Sequence, residues 1–192
     1  MGEIKKVKIC FLITGLNIGG AEMMLYRLVE RLDKTKYDIV VVSIVPLGKV
    51  AEKISRLGIK VISLEMKSKL DVLVVIRFIR LLKKNKPMIL HCFLFHANLL
   101  GRIVGKLVRV PVIISSIRSI NIGGGMREKA LKYTDVFSDA TTTVSHVAAE
   151  HIIRNGIVSE DKLRVIYNGI DVSLIGNKRN DNNMRETNGP FL

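Results

Sequence analysis

Short apolar runs alternate with longer segments of helical periodicity along almost the whole chain. No other feature narrows the possible folds as much. Runs at 7–13, 38–45, 59–64, 88–93, 111–115, 140–144 and 163–166 read as strands. Between them, 21–32, 50–57, 71–84, 97–108, 126–137 and 147–154 read as helices. The first of these carries Met24, Leu25, Leu28, Val29 and Leu32 at helical spacing. Strand and helix repeated about seven times predict the α/β class, with a doubly wound, mainly parallel sheet of about seven strands. Strands buried on both faces need Val, Ile and Leu, and Trp 0 with aromatics at 5% fits such a core. Hydrophobic residues at 48% exclude a disordered chain over most of the length.

Local punctuation agrees with these elements. Gly58 stands just past a helix end, Asp71 near a helix N-terminus, and Ser145 where it can cap the next helix. Gly101 and Gly105 are placed to let the helix over 97–108 approach the sheet closely. The 192 residues suit one domain at about 100–200 residues per domain. From Gly176 onward Asn177, Asn180, Asn182, Asn183 and Asn188 crowd a polar stretch. We therefore expect a domain over 1–173 and a poorly ordered tail over 174–192. Cys10 and Cys92 lie in apolar runs and read as reduced core thiols, with no zinc-type spacing and so no expected metal. No run of about 18 apolar residues appears. Lys5, Lys6 and Lys8 before Ile9 imitate a secretion signal, but the apolar stretch is short and a helix start comes next, so a cytoplasmic protein is expected.

Doubly wound sheets bind ligands at the carboxyl ends of their strands, which directs attention to 14–20, 92–96, 115–125, 144–146 and 167–171. Thr14-Gly15-Leu16-Asn17-Ile18-Gly19-Gly20-Ala21-Glu22 comes after a strand and opens a helix. Its glycines permit a phosphate to approach backbone N–H groups at a helix N-terminus. It lacks the glycine spacing of a dinucleotide fingerprint and the lysine of a P-loop, and a plain strand-to-helix turn is the competing reading. His91 and His96 flank the fourth strand's end and suit a base or a polar-ligand contact. Arg118 stands after the fifth strand among serines, where a guanidinium binds phosphate or carboxylate, or is simply solvated.

Lys+Arg 31 against Asp+Glu 17 leave a net charge of +14. Seven bases (Lys67, Lys69, Arg77, Arg80, Lys83, Lys84 and Lys86) and one acid, Asp71, crowd the segment 67–86. Its apolar stripe of Val72, Val75, Ile76, Ile79 and Leu82 reads as a core face. The basic side is either solvated or meets an anionic membrane surface. Nucleic acid is not expected, because aromatic residues for base stacking are scarce.

Three segments occur together in order: Gly19-Gly20-Ala21-Glu22, the stretch from His91 and His96 into Ala97-Asn98-Leu99-Leu100-Gly101, and Val165-Ile166-Tyr167-Asn168-Gly169-Ile170-Asp171. With the strand order, they resemble the N-terminal domain of retaining glycosyltransferases of family 4, which have the GT-B fold. The resemblance covers about 5–173. It implies a Rossmann-like half of a two-domain enzyme, in which this half mainly binds the acceptor and a C-terminal half binds a nucleotide-sugar donor. It implies that Gly19 and Gly20 approach the donor phosphates, and that His96 or Arg118, with Ser145, line the acceptor side. His96 and Arg118 are the catalytic candidates. Gly19, Gly20, His91, Asn98, Ser145 and Asn168 are the substrate-binding candidates, and Asn168 to Asp171 opens an interdomain linker. Phe93 departs from relatives that carry a second histidine there, and Arg118 stands where many have a histidine.

The expected function rests on that resemblance. It is transfer of a sugar from a nucleotide sugar, a substrate rather than a cofactor, to a polysaccharide or lipid-linked acceptor. The 71–84 helix makes the inner membrane face a candidate location for a peripheral contact. Only about twenty residues come after the linker and no donor domain is seen, so the chain reads as a truncated half-enzyme, inactive alone. The alternative is a non-catalytic module that partners a separate donor-domain subunit. A nucleotide-dependent oxidoreductase is discounted, because Pro46-Leu47-Gly48-Lys49 stands where an acidic ribose-binding residue is needed.

Overall fold

The computed structural model describes residues 6–68 and 71–169. Lys69, Ile170, Asp171 and the tail 174–192 therefore lie outside the described residues. In chain order the elements are β1 (Val7–Ile13), α1 (Gly20–Arg31), β2 (Tyr37–Ser43), α2 (Lys49–Arg56), β3 (Lys60–Ser63), α3 (Leu73–Asn85), β4 (Ile89–Phe93) and α4 (Phe95–Leu107). They continue with β5 (Val112–Ser116), α5 (Gly125–Thr134), β6 (Ala140–Thr143), α6 (His146–Arg154) and β7 (Leu163–Val165). The seven strands form one sheet in the order β3-β2-β1-β4-β5-β6-β7. Every pairing is parallel, as the repeated strand–helix pattern predicts.

Alternation along β1 separates two of the three core clusters, one on each face of the sheet. Ile9, Phe11 and Ile13 of β1 pack with Leu25 and Val29 of α1 and with Val50, Ala51 and Ile54 of α2. The intervening Cys10 and Leu12 pack on the opposite face with Val74, Phe78 and Leu82 of α3 and with Ala97 and Val104 of α4. Strand register sets the rows of side chains that run across the sheet. Phe11 stands opposite His91, which stands opposite Ile114. Ile13, Phe93, Ser116 and Thr142 form the next row on the same face. Over β4, β5 and β6 that face lines an open groove of about 560 Å³, bounded by Met24 and Leu28 of α1 and by Ile166 and Tyr167.

Most boundaries shift by a residue or two, and three of the differences have a visible physical cause. Helix α4 begins at Phe95 because Leu94 takes a left-handed φ of 73° and turns the chain at once after β4. Helix α5 stops at Thr134, and a 3-10 turn over Asp135–Phe137 replaces its last turn. That turn carries Asp135 to the wholly buried Arg102 of α4, with Nη2 3.3 Å from Oδ1. Arg102 also donates to Ser115 Oγ (2.8 Å), the Leu131 carbonyl (2.8 Å) and Thr141 Oγ1 (3.2 Å), so one guanidinium ties α4 to β5, α5 and β6. Third, α3 starts at Leu73, after the Asp71 carboxylate accepts from the Leu73 N–H at 3.1 Å. The apolar stripe assigned to this helix needs correction. Val74, Phe78 and Leu82 face the core, whereas Val72 and Ile76 are exposed at 72% and 43%. The segment is apolar over more than one face, so spacing alone selects the wrong phase.

Candidate functional site

The strand order reverses between β1 and β4, the place where a doubly wound sheet opens a crevice at its carboxyl edge. Thr14 leaves β1 there, and Leu94 to Asn98 leave β4 beside it. The segment after β5 closes the third side. Together these loops enclose a cavity of about 240 Å³, lined by Thr14, His96, Asn98, Ser116, Arg118 and Arg127 among others.

Each predicted residue now has a position. Gly19 is the N-cap of α1 and Gly20 its first residue. A Cβ at Gly20 would meet nothing within 4 Å, and one at Gly19 would meet only the Glu22 carboxylate. The α1 N-terminus, where the helix dipole is positive, is thus sterically free at Gly20, while at Gly19 it is faced by the Glu22 carboxylate of its own first turn. His96 is exposed in the first turn of α4, its ring 5.1 Å from that of Phe95. Arg118 lies half-buried with Cζ 5.9 Å over the Phe93 ring, and its Nη2 donates to Asn168 Oδ1. Burial lowers the Arg118 pKa from its usual value.

Asn98 is buried and spends its amide on the sheet. Its Nδ2 donates to the Ser116 carbonyl at 2.9 Å, and its Oδ1 accepts from the Ser116 N–H at 3.3 Å. It therefore positions the end of β5 against α4. Ser145 caps α6, with Oγ accepting from the Ala148 N–H at 3.2 Å, which matches its expected capping role. His91 stands apart from the cavity. It lies within β4 on the groove face, between Phe11 and Phe93, with ring centroids at 5.7 and 4.4 Å. Its Nε2 lies 2.8 Å from Ser116 Oγ, which in turn lies 2.7 Å from Thr142 Oγ1. Burial first, and then the positive Arg118, push the His91 pKa down to about 4, so it is neutral at pH 7.

Two cavity residues escape sequence reasoning. Thr14 reads in the sequence only as the start of a glycine loop, yet its Oγ1 is buried without a hydrogen-bond partner among the described residues. Arg127 sits in the first turn of α5 with Cζ 5.1 Å over the Phe95 ring. Only the contact between α5 and the start of α4 reveals it, and no local spacing signals that contact. Among the described residues, no group of three or more His, Cys, Asp or Glu is arranged to hold a metal ion.

A seven-stranded parallel sheet in this order among the described residues is the Rossmann-like half of a GT-B fold. The particular family is shown by the sequence itself: the model of Glycosyltransferase Family 4 matches residues 18–174, and the chain belongs to that family. Among solved structures, Anabaena Alr3699/HepE in complex with UDP is similar at TM-score 0.74 and 18% identity, covering 88% of this chain and 46% of that one. The lipopolysaccharide outer core galactosyltransferase WaaB is similar at 0.65 and 20% identity, covering 86% and 47%. A glycosyltransferase from Rickettsia africae is similar at 0.66 and 15% identity, covering 88% and 44%. The chain thus spans less than half the length of each. No curated protein matches its sequence.

Proposed function

We propose that this chain supplies the acceptor-side half of a retaining sugar transferase, which moves a sugar from a nucleotide sugar to a polysaccharide or lipid-linked acceptor. The observation that carries the reading is the cationic cavity at the β1/β4 reversal, lined by His96, Arg118 and Arg127. Structures of Anabaena HepE hold UDP and UDP-glucose, which supports a nucleotide-sugar donor here. In this reading the backbone N–H groups at Gly19 and Gly20 face the donor diphosphate and stabilise the charge that grows on it as the sugar leaves. His96 and Arg118 face the acceptor, Asn168 holds Arg118 in place, and Asn98 and Ser145 hold the loops that carry them. The chain spans about half the length of these neighbours, and in this reading a donor-binding half works together with it.

The test supplies a family-4 donor domain in trans. Mixed with the chain, it should release UDP from UDP-glucose in the presence of an acceptor saccharide, and Gly20→Val, whose side chain stands in the open space over the α1 start and keeps the diphosphate from its N–H groups, should slow that release by about a hundredfold. Full UDP release by the Gly20→Val variant would refute the role of the α1 start.

A second reading, a non-catalytic module that binds a separate donor subunit, is favoured by the groove over β4–β6. Its apolar walls (Phe11, Ile89, Phe93, Ile114) form an open sheet face of the kind doubly wound folds cover with a helix. Contact with an anionic membrane surface is the third element of the proposal. Exposed Val72, Leu73 and Ile76 adjoin exposed Arg80, Lys83 and Lys84 on α3, the combination an interfacial helix presents. Among the described residues no helix is long and apolar enough to cross a membrane.

A further inference from the structure

We infer that the cavity at the strand reversal selects an acceptor sugar bearing its own anionic group, a phosphate or a carboxylate, which Arg118 and Arg127 bind together. The inference rests on the acceptor-side reading above and adds the substrate class.

Three observations carry it. First, Arg118 and Arg127 are both lining residues of one cavity of about 240 Å³, Arg118 standing where it also borders the groove over Phe93, and no carboxylate is among the lining residues. Neither arginine has an ion-pair partner among the described residues. The arginines with structural roles do have one: Arg102 pairs with Asp135 at 3.3 Å, and Arg77 pairs with Asp71 at 3.2 Å. Arg118 is half-buried and left without counter-charge, which is unfavourable, and an anion arriving from solution relieves that cost; Arg127 is exposed and adds a second cation at the rim. Second, both groups are pre-oriented by neutral contacts that leave donors to spare. Arg118 leans on Phe93 and gives one N–H to Asn168. Arg127 leans on Phe95 and donates to the Ile122 carbonyl at 3.4 Å. A guanidinium has five N–H donors in a fork suited to a phosphate or carboxylate edge, and an aromatic face beneath it fixes the plane of that fork. Third, Thr14 is a lining residue of the same cavity, and its Oγ1 is buried without a hydrogen-bond partner among the described residues, a polar group that the protein leaves unsatisfied at this place.

The donor diphosphate offers the same chemistry, and the ligands chosen for the test separate the two sources. The 192-residue chain is titrated calorimetrically with glucose 6-phosphate, glucuronate, glucose and inorganic pyrophosphate. The same titrations are run on Arg118→Gln and Arg127→Gln, each checked for folding by circular dichroism and thermal melting. The expected result is binding of glucose 6-phosphate or glucuronate at least about tenfold tighter than glucose. Each substitution should weaken that binding by about tenfold and narrow the preference over glucose, the loss typical of one charge-assisted contact. Equal binding of glucose and its anionic relatives overturns the inference and leaves the acceptor reading standing. Pyrophosphate binding without sugar-phosphate binding also overturns it, assigning the arginines to the donor. No binding of any saccharide overturns the inference and the acceptor reading together.

Discussion

Helix α4 carries His96 and Asn98 at its start, and its seat on the sheet sets where the cavity lies. Gly101 and Gly105 make that seat possible. A Cβ added at Gly101 would overlap the Cys92 Sγ and lie 3.4 Å from Leu12 Cδ2. Cys92 is fully buried, and burial pushes its thiol pKa well above the usual value, so the sulfur is a protonated packing group with nowhere to swing. Carbon contacts settle at about 3.5–4.0 Å, so Gly101→Ala requires α4 or Cys92 to move by more than about 1 Å. Such overpacking costs up to about 3 kcal/mol. Alanine recovers about 1 kcal/mol through helix propensity, leaving a net loss of about 2 kcal/mol. For a chain of this size that is a fall in Tm of about 4–8 °C. Removing the sulfur reverses the sign. In a Cys92→Ala background the new Cβ keeps only an ordinary contact, since the Cys92 Cβ lies 3.5 Å away. There Gly101→Ala should be neutral or stabilising by up to about 1 kcal/mol. Urea unfolding of the four proteins in the double-mutant cycle measures the coupling, expected at about 2–3 kcal/mol. An equal cost of Gly101→Ala in both backgrounds would refute the close-approach reasoning.

The buried ion pair gives the next prediction. Asp135→Asn leaves the wholly buried Arg102 without its counter-charge and should cost about 3 kcal/mol, with much of the loss recovered in Arg102→Met/Asp135→Asn, both read by urea unfolding. His91 should make the fold acid-sensitive. Its folded pKa of about 4 lies below the ordinary 6.5, so the unfolded state takes up the proton first as pH falls. The contribution is fully present above 6.5 and is lost progressively between 6.5 and about 4, by up to about 3 kcal/mol at 1.36 kcal/mol per unit. Unfolding titrations of His91→Gln should be flatter than wild type across that window. For α3, co-sedimentation with vesicles should rise with anionic lipid content. Lys83→Glu/Lys84→Glu should abolish that dependence, and Ile76→Ser with Leu73→Ser should weaken binding even at high anionic content. Co-sedimentation indifferent to anionic lipid would refute the membrane contact.

The fold was legible because its signal is local and repeated. Seven apolar runs separated by periodic segments leave few topologies, and right-handed crossovers select the parallel one. Gly101 and Gly105 were readable for the same reason, since a glycine pair one helical turn apart serves a close approach and little else. The site was legible only in part. His96 and Arg118 sit beside strand ends in sequence, so the carboxyl-edge rule finds them. His91 also sits near a strand end, but alternation turns it onto the groove face, and a shift of one residue decides which face a side chain takes. Arg127 and the Arg102–Asp135 pair depend on contacts between distant elements, spaced 33 residues apart in the ion pair, and no window of sequence contains them.

The central claim is that the carboxyl edge of β1, β4 and β5 is the acceptor face of a two-part transferase. Amide NMR of the isotopically labelled chain tests it most directly, with glucose 6-phosphate and UDP-glucose added in separate titrations. The sugar phosphate should shift the amides of Thr14, His96, Arg118 and Ser119, and UDP-glucose should remain unconsumed by the chain alone. Shifts confined to residues away from that edge, or consumption of UDP-glucose by the chain alone, would contradict it.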